Sequence, residues 1–342
     1  MACVRQRKRS NRRMKRNVVI IAGGDSSEYG VSLKSADGIY SFLDKERYNV
    51  YIALVTKEGW QVNLSGGGKS PIDKNTFNFQ AGGKTVQADF AYITIHGTPG
   101  ENGRLQGYFD LMGIPYSSCG VLASALTFNK YMCNRYLRSF GIRTAESVRL
   151  LKGQTITDEE AVTRLGLPLF VKPNEGGSSF GAAKVKTAGE IQPAIRKALA
   201  EGREVLMESY IEGTEVTCGC YKVKGKEVVF PLTEVVTDNE FFDYDAKYNG
   251  QVKEITPARL PDELAEIIRN RTSRIYDLLG AKGIIRTDYI IPANTDTPTD
   301  PYMLEVNTTP GMTATSFIPQ QVRAAGLDIK DVLTEIIENE FN

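Results

Sequence analysis

The chain has a single histidine, His96, in 342 residues, which excludes zinc chemistry built on several imidazoles. Its five cysteines, Cys3, Cys119, Cys133, Cys218 and Cys220, are odd in number and scattered. They form no CxxC pair, and the Cys218-Gly219-Cys220 spacing is poor for zinc, so the expectation is reduced thiols in a cytoplasmic protein. The longest apolar runs are short, such as NVVIIA at 17–22, and none approaches a membrane span. No signal-peptide apolar core follows the basic start. GxGxxG and GxxxxGK[ST] are both missing, which removes the common dinucleotide fingerprint and the P-loop. No internal repeat is visible.

Acidic residues are absent from the first sixteen positions. Arg5, Arg7, Lys8, Arg9, Arg12, Arg13, Lys15 and Arg16 precede the first apolar run without a carboxylate among them. The whole chain carries +1, so removing those eight charges leaves −7 on residues 17–342. Residues 1–16 read as a basic, disordered extension, and Met14 is an alternative start. Contact of this extension with nucleic acid or anionic lipid is the other reading.

What is present begins with NVVIIAGG at 17–24, a buried strand closed by glycines, and SSEYGVSLKSADGIYSFL, a helix start and helix. This strand–Gly turn–helix unit belongs to open α/β sheets. The helix start offers backbone N–H groups to an anion, with Glu28 in the mouth of the turn. YNVYIALV at 48–55 and DFAYITIHG at 89–97 are further strands, the second placing His96 at a strand's carboxyl end. ASALTFNKYMCNRYLRSFG reads as one helix carrying Lys130. LPLFVKP is a strand ending in Lys172, followed at once by NEGGSSFG, whose backbone N–H groups and hydroxyls suit phosphate oxygens. Strands at 204–213 and 214–223 bring Glu208 and Glu215 into play. TDNEFFDYDAKYNGQ at 237–251 is a long aromatic–acidic loop of lid type. The helix at 262–280 has an apolar stripe of Leu264, Ile267, Ile268, Ile275 and Leu278, and the chain closes with an amphipathic helix through Ile329, Val332, Leu333 and Ile336. Boundaries near Gly120 and Tyr210 give domains at 17–120, 121–210 and 211–342.

The chemistry concentrates in Gly283–Met312, a β-hairpin with a long Pro/Asp/Asn/Thr turn. Arg286 and Asp288 are two residues apart on one strand; Glu305 and Asn307 are two apart on the other. Each pair shares a face. If the register sets the pairs opposite, one face shows two carboxylates, an amide and a guanidinium. Such carboxylates repel unless a cation separates them. The all-oxygen set suits Mg²⁺, which keeps waters and substrate phosphates. A surface salt-bridge ladder is the alternative. Two lysines, the Gly/Ser loop and Glu208 and Glu215 complete an inventory suited to a nucleoside triphosphate, where catalysis is mainly positioning and charge neutralisation. Arg286 then reads as an oxyanion partner, with the N–H groups of the turn that contains Gly311.

GGDSSEYGVSLKSA (23–36), HGTPGENGRLQGYFDLMGIPY (96–116), SALTFNK (124–130), VKPNEGGSSFG (171–181), FDYDAKY (242–248), RTDYII (286–291) and EVNTTPGMTATSFIP (305–319) resemble, in order and from Asn17 onward, the D-alanine–D-alanine ligases of the ATP-grasp superfamily. The resemblance implies an α/β protein, α+β in its C-terminal part: an open, mostly parallel α/β domain followed by a two-lobed ATP-grasp module. It implies ATP-dependent joining of two D-alanines through an acyl phosphate, for peptidoglycan precursors. Carried over, Glu28 holds the first D-alanine's ammonium, and Glu28, Ser178 and Tyr248 form a hydrogen-bonded triad. Lys130, Lys172, Ser178, Ser179, Glu208, Ile211, Glu215 and Lys247 meet ATP. Asp288, Glu305 and Asn307 ligate two Mg²⁺ (or Mn²⁺), with Glu305 bridging. Arg286 and the Gly311 N–H form the oxyanion hole, Ser316 and Phe317 meet the second substrate, and His96 lies close to both. A cytoplasmic homodimer without membrane or nucleic-acid partners is implied.

Departures from the family pattern are Tyr29-Gly30 after Glu28, Glu175 followed by two glycines, Ser209 where Lys is common, and Phe317 for a common Leu. None removes a metal, phosphate or oxyanion group. Relatives that make D-alanyl-D-lactate tend to carry Phe where this chain has Tyr248. Rival readings are another ATP-grasp carboxylate–amine ligase and a non-catalytic nucleotide-binding protein with a nucleic-acid-binding tail.

Overall fold

The first apolar run is buried on both faces, which is why it reads as an unbroken hydrophobic stretch rather than an alternation. In the computed structural model, which describes residues 15–177, 180–237, 252–293 and 300–342, strand Arg16–Gly23 lies parallel to Tyr48–Val55 on one side and to Phe90–Ile93 on the other. Trp60–Asn63 and Lys69–Pro71 extend this five-stranded sheet in antiparallel fashion. Val18, Ile20 and Ala22 pack with Ile39 of helix Tyr29–Phe42 and with Val332, Leu333 and Ile336 of helix Ile329–Asn339. Val19 and Ile21 pack with Phe77, Ile93 and Phe109. The last helix thus closes the first sheet. Arg16, expected in the basic extension, is the first residue of the strand and pairs with Glu338 at 2.6 Å.

Two antiparallel sheets follow. The first has the order Ala183–Val185, Leu169–Pro173, Glu204–Ser209, Ser147–Leu151, and shares its core with helices Asp158–Leu165 and Ile191–Glu201. The second has the order Val252–Ile255, Thr233–Thr237, Gly213–Val223, Ile285–Pro292, Tyr302–Asn307, with Lys226–Val229 also paired to Gly213–Val223. The strand expected over 204–213 therefore ends at Ser209, and its successor joins a different sheet. Residues 210–212 cross between the two, so Glu208 and Glu215 belong to different sheets.

The single helix expected around Lys130 is two helices, Val121–Phe128 and Lys130–Ser139. Asn129 breaks it with an extended backbone, and its side chain accepts the Met132 N–H at 3.0 Å, capping the second helix. Lys130 is thereby the first residue of a helix instead of a mid-helix side chain. Residues of both helices, including Ala123, Cys133 and Leu137, pack with Ile285 and Val306 of the third sheet.

Helix Asp262–Leu278 buries Leu264, Ile268, Thr272, Ile275 and Tyr276. Ile267 and Leu278, expected on the stripe, are only half-buried. An apolar-only search skips Thr272 and Tyr276. Thr272 is tolerated inside because its hydroxyl meets the Ile268 carbonyl at 2.9 Å and the Tyr289 hydroxyl at 2.8 Å. Among the described residues no helix is long and apolar enough to cross a membrane.

One close approach ties the first sheet to the end of the hairpin. A Cβ on Gly38, in helix Tyr29–Phe42, would stand 2.1 Å from the Met312 carbonyl oxygen. Only glycine lets this helix, whose first turn follows Glu28, lie directly on the turn after Asn307.

Candidate active site

The hairpin register sets Asp288 opposite Glu305 and Arg286 opposite Asn307. The juxtaposition expected from the i, i+2 spacing is therefore formed. A bulge after Asp288 leaves Leu304 as the extra residue, so pairing resumes at Tyr289 with Met303. The Asn307 amide lies 3.1 Å from an Asp288 oxygen and 3.5 Å from a Glu305 oxygen.

Arg286 is buried and grips Asp288 in a fork, Nε to Oδ1 and Nη2 to Oδ2, both at 2.8 Å. Expected as an oxyanion partner rather than a salt bridge, it forms a salt bridge here. A guanidinium withdrawn from water needs a counter-charge. Burial alone would lower its pKa, but Asp288, aided by Glu305 and Glu215, raises it. Asp288 also accepts from the Thr217 hydroxyl at 2.6 Å. Thr217 was missed in the sequence; it shares a strand face with Glu215, two residues earlier.

The hairpin face stands between two cavities. The larger, about 560 Å³, opens between the two antiparallel sheets. Lys130, Lys172, Glu208, Ile211 and Glu215 all line it. The smaller, about 210 Å³, is bounded by Glu28, His96, Asn307, Gly311 and Ser316. Lys130, Arg286, Glu305 and Phe317 line both.

Neither lysine is isolated. Lys172 meets Glu208 at 2.6 Å. Burial pulls its pKa down, and Glu208, Glu305 and Glu215 together outweigh that and raise it. It stays an ammonium. Lys130 reaches Glu305 at 3.3 Å and donates to the Gly176 carbonyl at 2.5 Å. The backbone N–H groups of Lys130 and Tyr131 bond Asn174, which fastens the helix start to the Gly/Ser loop.

On the N-terminal side, Glu28 precedes helix Tyr29–Phe42, and its carboxylate lies against Gly177: a Cβ there would fall 2.9 Å from Glu28 Oε1. The helix mouth thus presents a carboxylate, suited to an ammonium rather than the anion its N–H groups suggested. His96 is buried, with Nε2 3.1 Å from the Ser35 hydroxyl. Ser316 Oγ accepts the Thr313 N–H at 3.0 Å, and the Phe317 ring lies 5.2 Å from the Arg286 guanidinium. Ser178, Ser179, Lys247 and Tyr248 lie outside the described residues.

Sequence reasoning gave no role to Glu101, although it quoted the HGTPGENG segment that contains it. Glu101 borders the smaller cavity and accepts the Gly97 N–H at 2.7 Å. Burial, then the nearby Glu28 charge, push its pKa up to about 8. The fold thus favours the protonated acid, whereas the unfolded chain ionises near 4.5. Stability from this group is full below pH 4.5 and is lost as pH rises through 8. Glu101→Gln keeps an acceptor for Gly97 and cannot ionise. Its melting temperature should exceed that of the unsubstituted protein at pH 8.5, and the gap should close toward pH 4.5; a gap independent of pH would refute the assignment.

Residues 17–119 match the family described as D-ala D-ala ligase N-terminus, and residues 136–338 match D-ala D-ala ligase C-terminus. The chain is 71% identical over 328 residues to the D-alanine–D-alanine ligase of Parabacteroides distasonis, covering 96% of this chain and 98% of that one. Its fold is similar to D-alanyl-alanine synthetase A from Vibrio cholerae, with a TM-score of 0.85, 29% identity and coverage of 96% and 99%. It is also similar to a D-alanine–D-alanine ligase from Bacillus anthracis complexed with ATP, with a TM-score of 0.73, 29% identity and coverage of 95% and 97%.

Fold and site together define an ATP-grasp enzyme, with an open α/β domain preceding the two antiparallel sheets that enclose the larger cavity. Within that class, the chain belongs to the D-alanine–D-alanine ligase family. It joins two D-alanines, with ATP as co-substrate, for peptidoglycan precursor synthesis.

Proposed function

We propose that the Gly283–Met312 hairpin is the shared wall of this reaction, with ATP in the larger cavity and the two amino acids in the smaller. The observation that carries this reading is that Lys130, Arg286 and Glu305 line both spaces. Phosphoryl transfer from one space to the other must pass these side chains.

Lys130 and Lys172 neutralise the phosphates, and Glu208, Ile211 and Glu215 meet the nucleoside end. Asp288, Glu305 and Asn307 would hold two Mg²⁺ (or Mn²⁺) ions. Two carboxylates and an amide within reach of one another suit a hard cation that completes its shell with water and phosphate oxygens. There these residues would let the metal supply charge neutralisation at the transferring phosphoryl group.

Glu28 holds the first D-alanine's ammonium, leaving its carboxylate to meet the phosphoryl group. Arg286 and the Gly311 N–H stabilise the oxyanion that forms when the second amine attacks. Ser316 and Phe317 hold the second carboxylate, and His96, steadied by Ser35, lies close to the substrates. An acyl phosphate hydrolyses, so water must be kept out. Ser178, Ser179, Lys247 and Tyr248 are assigned to the phosphate loop and lid on sequence alone. The nearness of Glu28 to Gly177 supports the Glu28–Ser178–Tyr248 triad, because Ser178 is the next residue.

Tyr248 favours the dipeptide. With ATP, D-alanine and D-lactate at neutral pH, D-alanyl-D-alanine should dominate; mostly depsipeptide would overturn this selectivity. A homodimer is proposed, as the family resemblance implies. A single-chain mass by light scattering would refute it. The four described cysteines are unpaired, which supports a cytoplasmic location.

A further inference from the structure

Gln320, on the first turn of helix Phe317–Ala324, uses its amide as a tie between two elements. The Nε2 group donates to Glu254 on strand Val252–Ile255 and, at 2.7 Å, to the Thr315 carbonyl. Thr315 lies in the turn 313–316, where the Thr313 N–H and hydroxyl meet Ser316 Oγ at 3.0 and 2.8 Å. Across the sheet, Glu254 pairs with Val235, which lines the larger cavity, and Glu254 itself borders the smaller one. Gln320 thus joins Glu254, on the strand beside Val235, to the 313–316 turn that contains Ser316.

We propose that Glu254 is a positioning residue for the amine-donating amino acid: by holding the Gln320 amide it fixes the 313–316 turn that presents Ser316. This rests on the reading that Ser316 meets the second substrate's carboxylate. Glu254 needs no contact with substrate to act this way. An amide can donate to two acceptors at once only in a fixed orientation, so losing one acceptor frees the side chain and slackens the turn. The cost falls on the subsite that the turn builds. A hydrogen bond to a charged acceptor is strong enough for its loss to change affinity about tenfold.

The test uses the full-length enzyme, with phosphate release measured over a wide range of D-alanine so that the two D-alanine KM values separate. Glu254→Ala should raise the KM of the second D-alanine about tenfold, leaving the KM for ATP and the melting temperature unchanged. Glu254→Gln restores a carbonyl acceptor for Gln320 and should return that KM to within about twofold of the starting value. Ser316→Ala runs alongside as the check on the underlying reading. A raised second KM in Ser316→Ala with none in Glu254→Ala overturns the positioning role and leaves the subsite standing. No change in either variant overturns both. Equal damage from Glu254→Ala and Glu254→Gln also overturns the proposal, because charge rather than the hydrogen bond would then matter.

Discussion

Glu305→Ala should lower ATP-dependent phosphate release by about three orders of magnitude or more, while the protein stays folded. Glu305 is the one carboxylate of the proposed metal trio that lines both cavities, and it also holds Lys130 at 3.3 Å. Its removal takes away the proposed bridging ligand and loosens a phosphate-binding lysine together. The effect belongs on kcat, since charge neutralisation at the transferring group matters most in the transition state. Glu305 is half-buried on the hairpin face, away from the apolar core, so folding does not depend on it. The check pairs a phosphate-release assay with thermal unfolding. Activity within tenfold of the starting enzyme would end the metal assignment.

Arg286→Ala comes second, with an expected loss of about 10²–10³ in kcat from removing one oxyanion donor. This variant should also lose stability. Asp288 would keep its bonds to Thr217 and Asn307 but lose its buried counter-charge, and breaking such a pair costs about 3–5 kcal/mol. The two losses separate with Arg286→Lys. That variant keeps a positive charge beside Asp288 but not the planar fork, so it should recover most of the melting temperature and little of kcat. Recovery of both together would mean that Arg286 serves only as the partner of Asp288.

Local rules carried the sequence reading furthest where they suffice. Strand alternation placed Arg286 with Asp288 and Glu305 with Asn307 before any register was known, and the register then set the pairs opposite. The glycines expected to close the first strand do so, since the strand ends at Gly23. Facts set by distant parts of the chain stayed hidden. Nothing local separates Ser209 and Gly213 into different sheets; their partners at 169–173 and 285–292 do. Asn129 fits a helix in isolation, and it breaks one here because Asn174 takes the N–H groups of the next two residues. The docking of helix Ile329–Asn339 on the first sheet joins residues three hundred positions apart, which no window of sequence reports. Glu101, Thr217 and Glu254 were passed over for the same reason. Each is an ordinary polar residue until the fold brings it to a cavity.

The central claim is that Asp288, Glu305 and Asn307 gather the metal where the two cavities meet. The measurement that tests it most directly is the number of Mn²⁺ ions bound per chain with a non-hydrolysable ATP analogue and D-alanine, counted by electron paramagnetic resonance. The account predicts two per chain, falling in Glu305→Ala while the analogue still binds. An unchanged count in that variant would contradict it.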